Sequence, residues 1–259
     1  MDMSKEDIIL DIINLSKSYK KRNYSTIALN KINFNIFKGE IFGIVGESGS
    51  GKSTVAKLIT RLEDSDSGEI YLNGTKINSI KGKKDLKRIY QDVQMVFQDP
   101  KASFNPRMKI KDSILESSYN LRCRKNTPDI KELLNLVELK EEYANRYPHE
   151  LSGGECQRAA IARAISVNPK ILICDEATSA LDVSAQAQIV DLLVELNKKL
   201  EMSIILISHD LALVSSLCDR TCVLYQGNVV ELGNTRQVID KPKAPYTKKL
   251  LESVLTVDL

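Results

Sequence analysis

The nine residues GESGSGKST, positions 46–54, follow directly on the apolar run IFGIV at positions 41–45. They are Gly46, Glu47, Ser48, Gly49, Ser50, Gly51, Lys52, Ser53 and Thr54. Glycine loses more backbone entropy than other residues when it is held in place, so three glycines beside a buried strand need a physical reason. The pattern Gly-x-x-x-x-Gly-Lys-Ser between a strand and a helix is typical of a loop that binds phosphate groups.

Bare backbone suits phosphate because successive N–H groups of such a loop point into one concavity that side chains would otherwise fill. A helix predicted over Ser53–Leu62 adds the positive end of its dipole. Lys52 would reach the outer phosphates as a point charge, and the Ser53 hydroxyl would bind Mg²⁺. A chance glycine-rich turn is the alternative, but the strand before the loop and the helix after it favour a nucleotide site.

Length, composition and charge describe an ordinary soluble globular protein of 259 residues, enough for one large domain or two modest ones. The formal net charge of +3 indicates no strong attraction to nucleic acid or to a membrane surface. No apolar run approaches the ~20 residues of a membrane span, and the charged N-terminus has no signal-peptide core. We therefore expect a cytosolic chain whose membrane contact is made through a partner. The five cysteines are dispersed, which fits reduced thiols rather than a metal site.

Strand-like and helix-like patterns alternate along most of the chain. Apolar positions predict strands at 8–15, 32–36, 41–45, 93–97, 171–174, 203–207 and 221–225, and helices at 53–62, 130–139, 159–167, 185–200 and 211–217. Such alternation predicts an α/β fold with helices packed on a parallel sheet. The helical stretch from about residue 99 to 168 is interpreted as an insertion within a single domain spanning residues 1–259.

Two acidic residues, Asp175 and Glu176, follow the apolar run at 171–174. Ligands of open α/β sheets collect at the carboxyl ends of the strands, which is where this pair is expected. Asp175 would hold Mg²⁺ through water, while Glu176, one residue on, would polarise the attacking water. Strands also end in acidic turn residues for no catalytic reason, so the catalytic interpretation depends on the glycine loop.

A second glycine-rich segment, LSGGECQR at positions 151–158, opens a helix late in the helical stretch. Ser152 followed three residues later by Glu155 is the pattern of a capping box, which is the purely structural interpretation. Capping does not need the adjacent Gly153 and Gly154, which indicate that another phosphate approaches this helix terminus. Because the glycine loop already serves the phosphates from one side, the segment suggests a site closed by two subunits. It resembles the signature motif of ATP-binding-cassette (ABC) ATPases, in which each ATP lies between the glycine loop of one subunit and the signature helix of its partner.

Other positions match that family one at a time. Gln98 falls where the family has a glutamine that contacts Mg²⁺ and senses the transporter, although a polar residue closing a strand would look the same. Asp182, in the segment Ser179-Ala180-Leu181-Asp182, matches the D-loop that communicates across the dimer, and it can also cap the following helix. His209 ends a strand as the family's switch histidine does. The resemblance implies that His209 contacts the γ-phosphate and organises Glu176.

Tyr19 resembles the aromatic residue on which the family stacks adenine, with Tyr24 as the alternative because the loop beside it is long and basic. His149 is interpreted as structural or exposed. Two positions depart from the family pattern: Glu155 stands where glutamine is commoner, and Ala177 stands where proline is commoner. Both departures leave the expected phosphate ligands in place, so we expect altered rates at most.

Three further segments, residues 97–107, 181–189 and 244–251, resemble the ATPases of oligopeptide, dipeptide and nickel importers. The resemblance implies an ATPase that energises solute import at the cytoplasmic face of the cell membrane. Its partners would be two transmembrane permease subunits and, indirectly, an extracellular solute-binding protein. The second ATPase subunit would be a homologous chain, with a heterodimer as the first choice and a homodimer as the alternative. The C-terminal extension, at about 235–259, would either cover the sheet edge or face a partner.

The fold implied by this resemblance is a P-loop NTPase of ABC type, with a RecA-like core, an antiparallel β subdomain and an inserted α-helical subdomain. ATP and Mg²⁺ are the implied ligands. A non-transport ABC ATPase that acts on nucleic acid or ribosomes is the competing function. The chain has neither the long coiled coils of DNA-repair members nor the second cassette of translation factors, and its small net charge argues against binding a phosphate backbone.

Overall fold

The structure, a computed structural model, describes residues 7–21, 24–121, 128–177 and 181–255. The chain divides into two compact units. The first unit contains Met1–Lys81 and Ser203–Leu259, and the second contains Gly82–Met202. A single domain with a helical subdomain at about 99–168 and an extension at about 235–259 stays a prediction, because compactness alone does not test it.

One sheet of the first unit is antiparallel. Its strands are β1 (Ile8–Lys21), β2 (Tyr24–Phe37), β4 (Ser67–Leu72) and β5 (Thr75–Lys76), in the order β2-β1-β4-β5. The strands β1 and β2 extend well beyond the apolar segments from which they were predicted, because antiparallel pairing continues to the register Tyr19↔Thr26 and Lys21↔Tyr24. The inner face of this sheet buries Leu10, Ile12, Leu15, Leu29, Ile32 and Ile36.

The other strands of the first unit are β3 (Ile41–Val45), β8 (Ser203–Ser208), β9 (Arg220–Tyr225) and β10 (Asn228–Asn234), in the order β10-β9-β3-β8. β3 pairs in parallel with both β8 and β9, whereas β9 and β10 form an antiparallel pair. Every residue of β3 and of β8 is buried, which explains their continuous apolar sequences. The predicted parallel sheet is therefore present in this unit.

The helices of the first unit are α1 (Lys52–Ile59), α7 (Leu211–Leu217), α8 (Thr235–Asp240) and α9 (Pro245–Leu255). α1 buries Val55, Ala56, Leu58 and Ile59, the apolar face that predicted it. It ends before the predicted Leu62, because Arg61 adopts a φ of 58° and the left-handed region terminates a helix.

In the second unit, β6 (Val93–Val96) and β7 (Ile171–Asp175) pair in parallel, with Val96 opposite Cys174. The helices of this unit are α2 (Lys83–Asp92), α3 (Ile110–Leu121), α4 (Ile130–Leu136), α5 (Gly153–Ile165) and α6 (Val183–Leu200), with short 3-10 turns at Glu141–Asn145 and Pro148–Glu150. α5 is the most buried helix, covered along its length by neighbouring elements that include α3, α4 and α6.

The partly buried Arg163 of α5 fixes the segment that follows β6. Its guanidinium donates to the Ser103 carbonyl oxygen at 2.7 Å and to Ser103 Oγ at 3.0 Å, and it lies 4.5 Å from the centroid of the Phe104 ring. Burial lowers the pKa of Arg163. Because a buried cation must be bonded, these contacts hold the segment firmly against α5.

Cys156, Cys174, Cys218 and Cys222 are buried free thiols, and Cys123 lies outside the described residues. Burial raises the pKa of Cys174 and of Cys222 to about 12, so both remain protonated at neutral pH. None of the described helices is both long enough and apolar enough to cross a lipid bilayer. The buried thiols thus act as small apolar side chains.

Candidate functional site

At two positions of the glycine loop, the protein's own backbone lies so close that no side chain fits. A Cβ on Gly46, which has a φ of 152°, would lie 2.2 Å from the Leu224 carbonyl oxygen, and a Cβ on Gly51, with a φ of 110°, would lie 2.5 Å from the Ala28 carbonyl oxygen. Gly49 differs, because a Cβ there would have nothing within 4 Å. The room for an approaching phosphate is therefore at Gly49, whereas the other two glycines let β9 and β2 pass close to the loop.

The side chain of Lys52 is held inside the loop. Its Nζ donates to the carbonyl oxygen of Gly46 at 2.7 Å and to that of Glu47 at 2.9 Å, and the residue is buried. No side chain caps the helix at Gly51, and the first turn has no acidic residue. The positive helix end and the ammonium together make the loop attractive to an anion.

Two observations test whether a phosphate group fits here. Among the described residues, the buried Ser50 Oγ has no hydrogen-bond partner, and the bare backbone at Gly49 borders open space. A buried hydroxyl without a partner is rare, and a phosphate oxygen is an acceptor that would satisfy it. The donor set of the loop therefore suits a bound phosphate chain.

Tyr19 lies beside the far end of the glycine loop. Its hydroxyl donates to Glu63 Oε2 at 2.5 Å, and Lys17 Nζ lies 5.4 Å from the centroid of its ring. Burial and the Glu63 carboxylate raise the pKa of Tyr19, against a smaller opposing effect of the Thr54 hydroxyl. Tyr19 stays the predicted adenine-stacking residue, and the side chain of the alternative Tyr24 lies outside the described part of the chain.

His209 follows β8 directly, in an exposed position. β8 pairs with β3 so that Ser208 lies opposite Val45, which places His209 at the same sheet edge as the start of the glycine loop. Asp210 fixes the chain on the other side, because its side chain accepts from the Leu213 N–H at 3.1 Å and caps α7. Sequence and structure thus agree on a histidine at this edge.

The second unit brings Gln98, Asp175 and Glu176 to one edge of its own strand pair. β6 and β7 end together, with Val96 opposite Cys174, so the predicted glutamine and the two acids follow adjacent strand ends. Glu176 has a φ of 48°, in the left-handed region that residues other than glycine seldom adopt. Backbone strain of this kind clusters at functional sites.

The capping box predicted for the second glycine-rich segment is present. Ser152 Oγ accepts from the Glu155 N–H at 3.3 Å, and Glu155 Oε2 accepts from the Ser152 N–H at 2.8 Å. A Cβ on Gly153 would lie 3.4 Å from its nearest neighbour and a Cβ on Gly154 would lie 3.5 Å away, which are ordinary van der Waals distances. Neither glycine has a positive φ. The described part of the chain therefore leaves room for a Cβ at both glycines.

Asp182 caps α6, since its side chain accepts from the Ala185 N–H at 2.8 Å. It also borders an open cavity of about 420 Å³, together with Ser152, Gly153 and Gly154. Two predicted family positions thus meet at one surface of the second unit. Ser179 and Ala180, the preceding residues of the predicted D-loop, lie outside the described residues.

His149 is exposed and stacks on Tyr147, with ring centroids 5.8 Å apart, as expected of a surface residue.

The sequence did not predict two tyrosines that contact the glycine-rich segments. Tyr143 donates to Glu155 Oε1 at 2.7 Å, and Tyr246 accepts from the Glu47 N–H at 3.1 Å. The tail around Tyr246 did attract attention as a segment similar to importer ATPases, but its position beside the glycine loop was not predicted.

Protonation of the Glu155 carboxylate at acid pH should lower the stability of the second unit. The Ser152 N–H and then the Tyr143 hydroxyl hold the pKa of Glu155 below its ordinary value of 4.5. Such a carboxylate stabilises the folded chain above its unfolded pKa, and this contribution is lost as the pH falls through the lower folded value. We expect Glu155→Gln to cost about 0.3–1 kcal/mol at pH 7, the effect of a negative charge at an exposed helix N-terminus, and progressively less as the pH falls below 4.5.

The measurement for Glu155 is the free energy of unfolding in urea, taken at several pH values for the wild type and the variant. Tyr143→Phe is the companion variant, because it removes one of the two donors to the carboxylate and should shift the acid loss towards higher pH. A difference between wild type and Glu155→Gln that stays constant with pH would contradict the argument.

Taken together, the geometry of the first unit defines a class of protein. A buried parallel strand leads into a glycine loop, the loop holds a lysine, and an uncapped helix follows. This is the phosphate-binding arrangement of a P-loop NTPase.

Comparison with known proteins narrows that class, since residues 29–179 match the ABC transporter family. The oligopeptide transport ATP-binding protein OppF of Streptococcus mutans is 43% identical over 251 residues, covering 95% of this chain and 81% of that protein. The dipeptide transport ATP-binding protein DppF of Lactococcus lactis is 41% identical, covering 99% of this chain and 84% of that protein. The solved dimeric ATP-binding cassette MJ0796, bound to ADP and Pi, is 30% identical to this chain, with a TM-score of 0.78. The match covers 88% of this chain and 99% of the MJ0796 chain. The chain belongs to the ABC transporter family, and the predicted family and fold class are confirmed.

Proposed function

We propose that the chain is the ATP-hydrolysing subunit of an ABC importer of peptides. The observation that carries this proposal is the glycine loop, in which open backbone at Gly49, the buried ammonium of Lys52 and an uncapped helix converge. The relatives named above are oligopeptide and dipeptide transport proteins and cover nearly the whole chain, which supports peptides as the cargo. Nickel or metal chelates are the alternative cargo that the sequence predicted.

In this proposal the first unit binds the nucleotide. The loop N–H groups and Lys52 hold the phosphates, Tyr19 stacks on adenine, and His209 contacts the γ-phosphate from the adjacent strand end. Lys52 Nζ donates to the carbonyl oxygens of Gly46 and Glu47, at 2.7 and 2.9 Å, and would exchange these bonds for bonds to phosphate oxygens. An ammonium is better satisfied by anionic oxygens than by neutral ones, so the exchange favours binding.

In the first unit, the Ser53 hydroxyl of the glycine loop would hold Mg²⁺, while Gln98 and Asp175 stay metal ligands predicted from the sequence. The described residues hold no group of three or more His, Cys, Asp or Glu side chains that could bind a metal ion. A nucleotide-associated Mg²⁺ takes most of its ligands from phosphates and water, so few protein oxygens suffice. When bound, Mg²⁺ neutralises charge on the phosphates during transfer.

Glu176 is the proposed general base. A carboxylate that follows a strand end and adopts a left-handed backbone is held in a fixed direction, which a base requires. It would accept a hydrogen bond and then a proton from the attacking water.

Ser152, Gly153 and Gly154 are proposed to complete the nucleotide site of a partner ATPase subunit. Support comes from the two glycines that the fold itself does not require, and from the dimeric structure of the similar cassette MJ0796. Asp182, beside the same cavity, would contact that partner through the D-loop. The partner is a homologous chain in a heterodimer, or a second copy of this chain. Loss of the γ-phosphate removes the affinity that holds the two subunits closed.

The closing motion would pass to two transmembrane permease subunits, so the chain would work at the cytoplasmic face of the membrane and touch no transported solute. An extracellular solute-binding protein would set specificity. Co-purification with two permeases from the native membrane tests this assembly. Stoichiometric binding to nucleic acid instead would favour the non-transport function.

A two-chain site makes ATPase activity depend on concentration. At low concentrations of the isolated chain, a tenfold increase in concentration should raise activity per chain by up to about tenfold, because only the dimer is active. Phosphate release over a dilution series measures this, with Lys52→Ala as the control for contaminating ATPases. High activity per chain that does not change on dilution of a monomer would contradict the two-chain site.

A further inference from the structure

The C-terminal helix α9 touches the glycine loop. The Tyr246 hydroxyl accepts a hydrogen bond from the backbone N–H of Glu47 at 3.1 Å, although the two residues are 199 positions apart. The Tyr246 ring stacks on Tyr225, with centroids 4.0 Å apart and an angle of 29° between the rings. Tyr225 is the last residue of β9, so the contact lies within the first unit.

The hydrogen bond acts on a peptide group that Lys52 also binds. The Glu47 N–H and the Gly46 carbonyl belong to one planar peptide unit. Lys52 Nζ donates to that carbonyl oxygen at 2.7 Å while the Tyr246 hydroxyl accepts from that N–H. The plane is thus held at both edges, next to a glycine that offers little resistance of its own to rotation.

The placement of Tyr246 is determined by the fold of the first unit. Glu231 of β10 accepts from the Lys243 N–H at 2.9 Å and from the Ala244 N–H at 3.0 Å, which fixes the chain just before α9 begins at Pro245. Burial raises the pKa of Tyr246, so the hydroxyl is neutral at physiological pH. The two hydrogen bonds of Glu231 and the stacking on Tyr225 therefore place the Tyr246 hydroxyl against the loop.

We propose that Tyr246 is a positioning residue for nucleotide binding, which makes the C-terminal extension part of the nucleotide site. The inference rests on the proposed function. When Lys52 turns to the phosphates, the Gly46 carbonyl loses its cation, and the bond from Glu47 to Tyr246 is left to keep the peptide plane in its binding orientation. Tyr246 touches no substrate atom in this scheme and acts through the loop alone.

Tyr246→Phe is the decisive variant, because it keeps the stacked ring and removes only the hydroxyl. Tyr225→Phe is the matched control, since its hydroxyl accepts from Gln226 Nε2 at 3.2 Å and its ring belongs to the same stack. Isothermal titration of the full chain with Mg–ATP and with Mg–ADP gives the dissociation constants. We expect Tyr246→Phe to weaken both about three- to tenfold, the effect of one lost hydrogen bond, and Tyr225→Phe to leave both unchanged.

Turnover and thermal unfolding separate positioning from simple packing. The KM for ATP should rise with the dissociation constant and kcat at saturating ATP should stay close to wild type, while the Tm without nucleotide should fall by no more than about 4 °C, the cost of one hydrogen bond. Unchanged nucleotide affinity in Tyr246→Phe would overturn the inference while leaving the proposed function intact. A lowered Tm with equal losses in affinity and kcat would assign Tyr246 to packing and overturn it as well. Failure of the wild type to bind nucleotide would overturn the proposed function and this inference with it.

Discussion

Replacing Glu176 by glutamine should lower ATP turnover of the assembled transporter about a hundred- to ten-thousandfold while ATP remains bound. Glutamine keeps the size of the side chain and can occupy the same left-handed backbone, at a φ of 48°. It cannot accept a proton from the attacking water at neutral pH. The substitution therefore removes the base without removing any of the phosphate ligands proposed for the first unit.

Phosphate release measures the turnover of this variant, and retention of labelled ATP on a filter measures binding. Glu201→Gln is the matched control, because Glu201 is a second glutamate of the same unit with a left-handed backbone, at a φ of 51°, and it is exposed at the end of α6. The control should hydrolyse ATP as the wild type does. Turnover near the wild-type rate in Glu176→Gln would remove Glu176 from the role of base.

Gly46→Ala should damage both stability and nucleotide binding. The added Cβ would lie 2.2 Å from the Leu224 carbonyl oxygen, and the φ of 152° is one that alanine rarely adopts. Because Leu224 belongs to a central strand that cannot easily move, the start of the loop must shift instead. We expect a loss of about 2–4 kcal/mol in the free energy of unfolding, from strain and overpacking together. Nucleotide affinity should fall at least about a hundredfold, since this peptide group carries the contacts of both Lys52 and Tyr246.

Gly49→Ala is the matched comparison for Gly46→Ala. Its Cβ would enter open space, so only the φ of 81° opposes it, at about 1–2 kcal/mol. Nucleotide affinity should still fall, because the methyl group would occupy the room proposed for phosphate. Urea unfolding and isothermal titration separate the two effects. Equal stability of Gly46→Ala and wild type would refute the close approach between loop and strand.

The bounds of the interior strands and helices were predicted well because their apolar sequence patterns indicate which residues are buried. β3 and α7 have the bounds that the sequence predicted, and β7, β8 and β9 differ by one residue at an end. These elements are continuous apolar runs or have a clear helical period, and both patterns report burial directly. The expected parallel sheet followed from their alternation.

Elements with few buried residues were missed. The second half of β1 is mostly polar and the first half of β2 has no clear alternation, yet the two pair through their backbones up to Lys21↔Tyr24. Helix α2 buries only Ile89, and its apolar face is short, made of Leu86, Ile89 and Tyr90. Apolar periodicity predicts which side chains are buried, but it gives no information about backbone hydrogen bonding between exposed strands.

The sequence by itself determined the parts of the site that lie within a few residues of one another: the glycine loop with Lys52, the capping box of Ser152 and Glu155, and the two acids at the end of β7. Their spacing encodes the local hydrogen bonds that define them. Tertiary structure alone decided why Gly46 and Gly51 must be glycine, and that Tyr246 meets Glu47. Those contacts join segments more than 20 residues apart, as Gly51 and Ala28 show, or 199 apart for Tyr246 and Glu47. A residue's spacing along the chain carries no information about such neighbours, because packing of the whole unit brings them together.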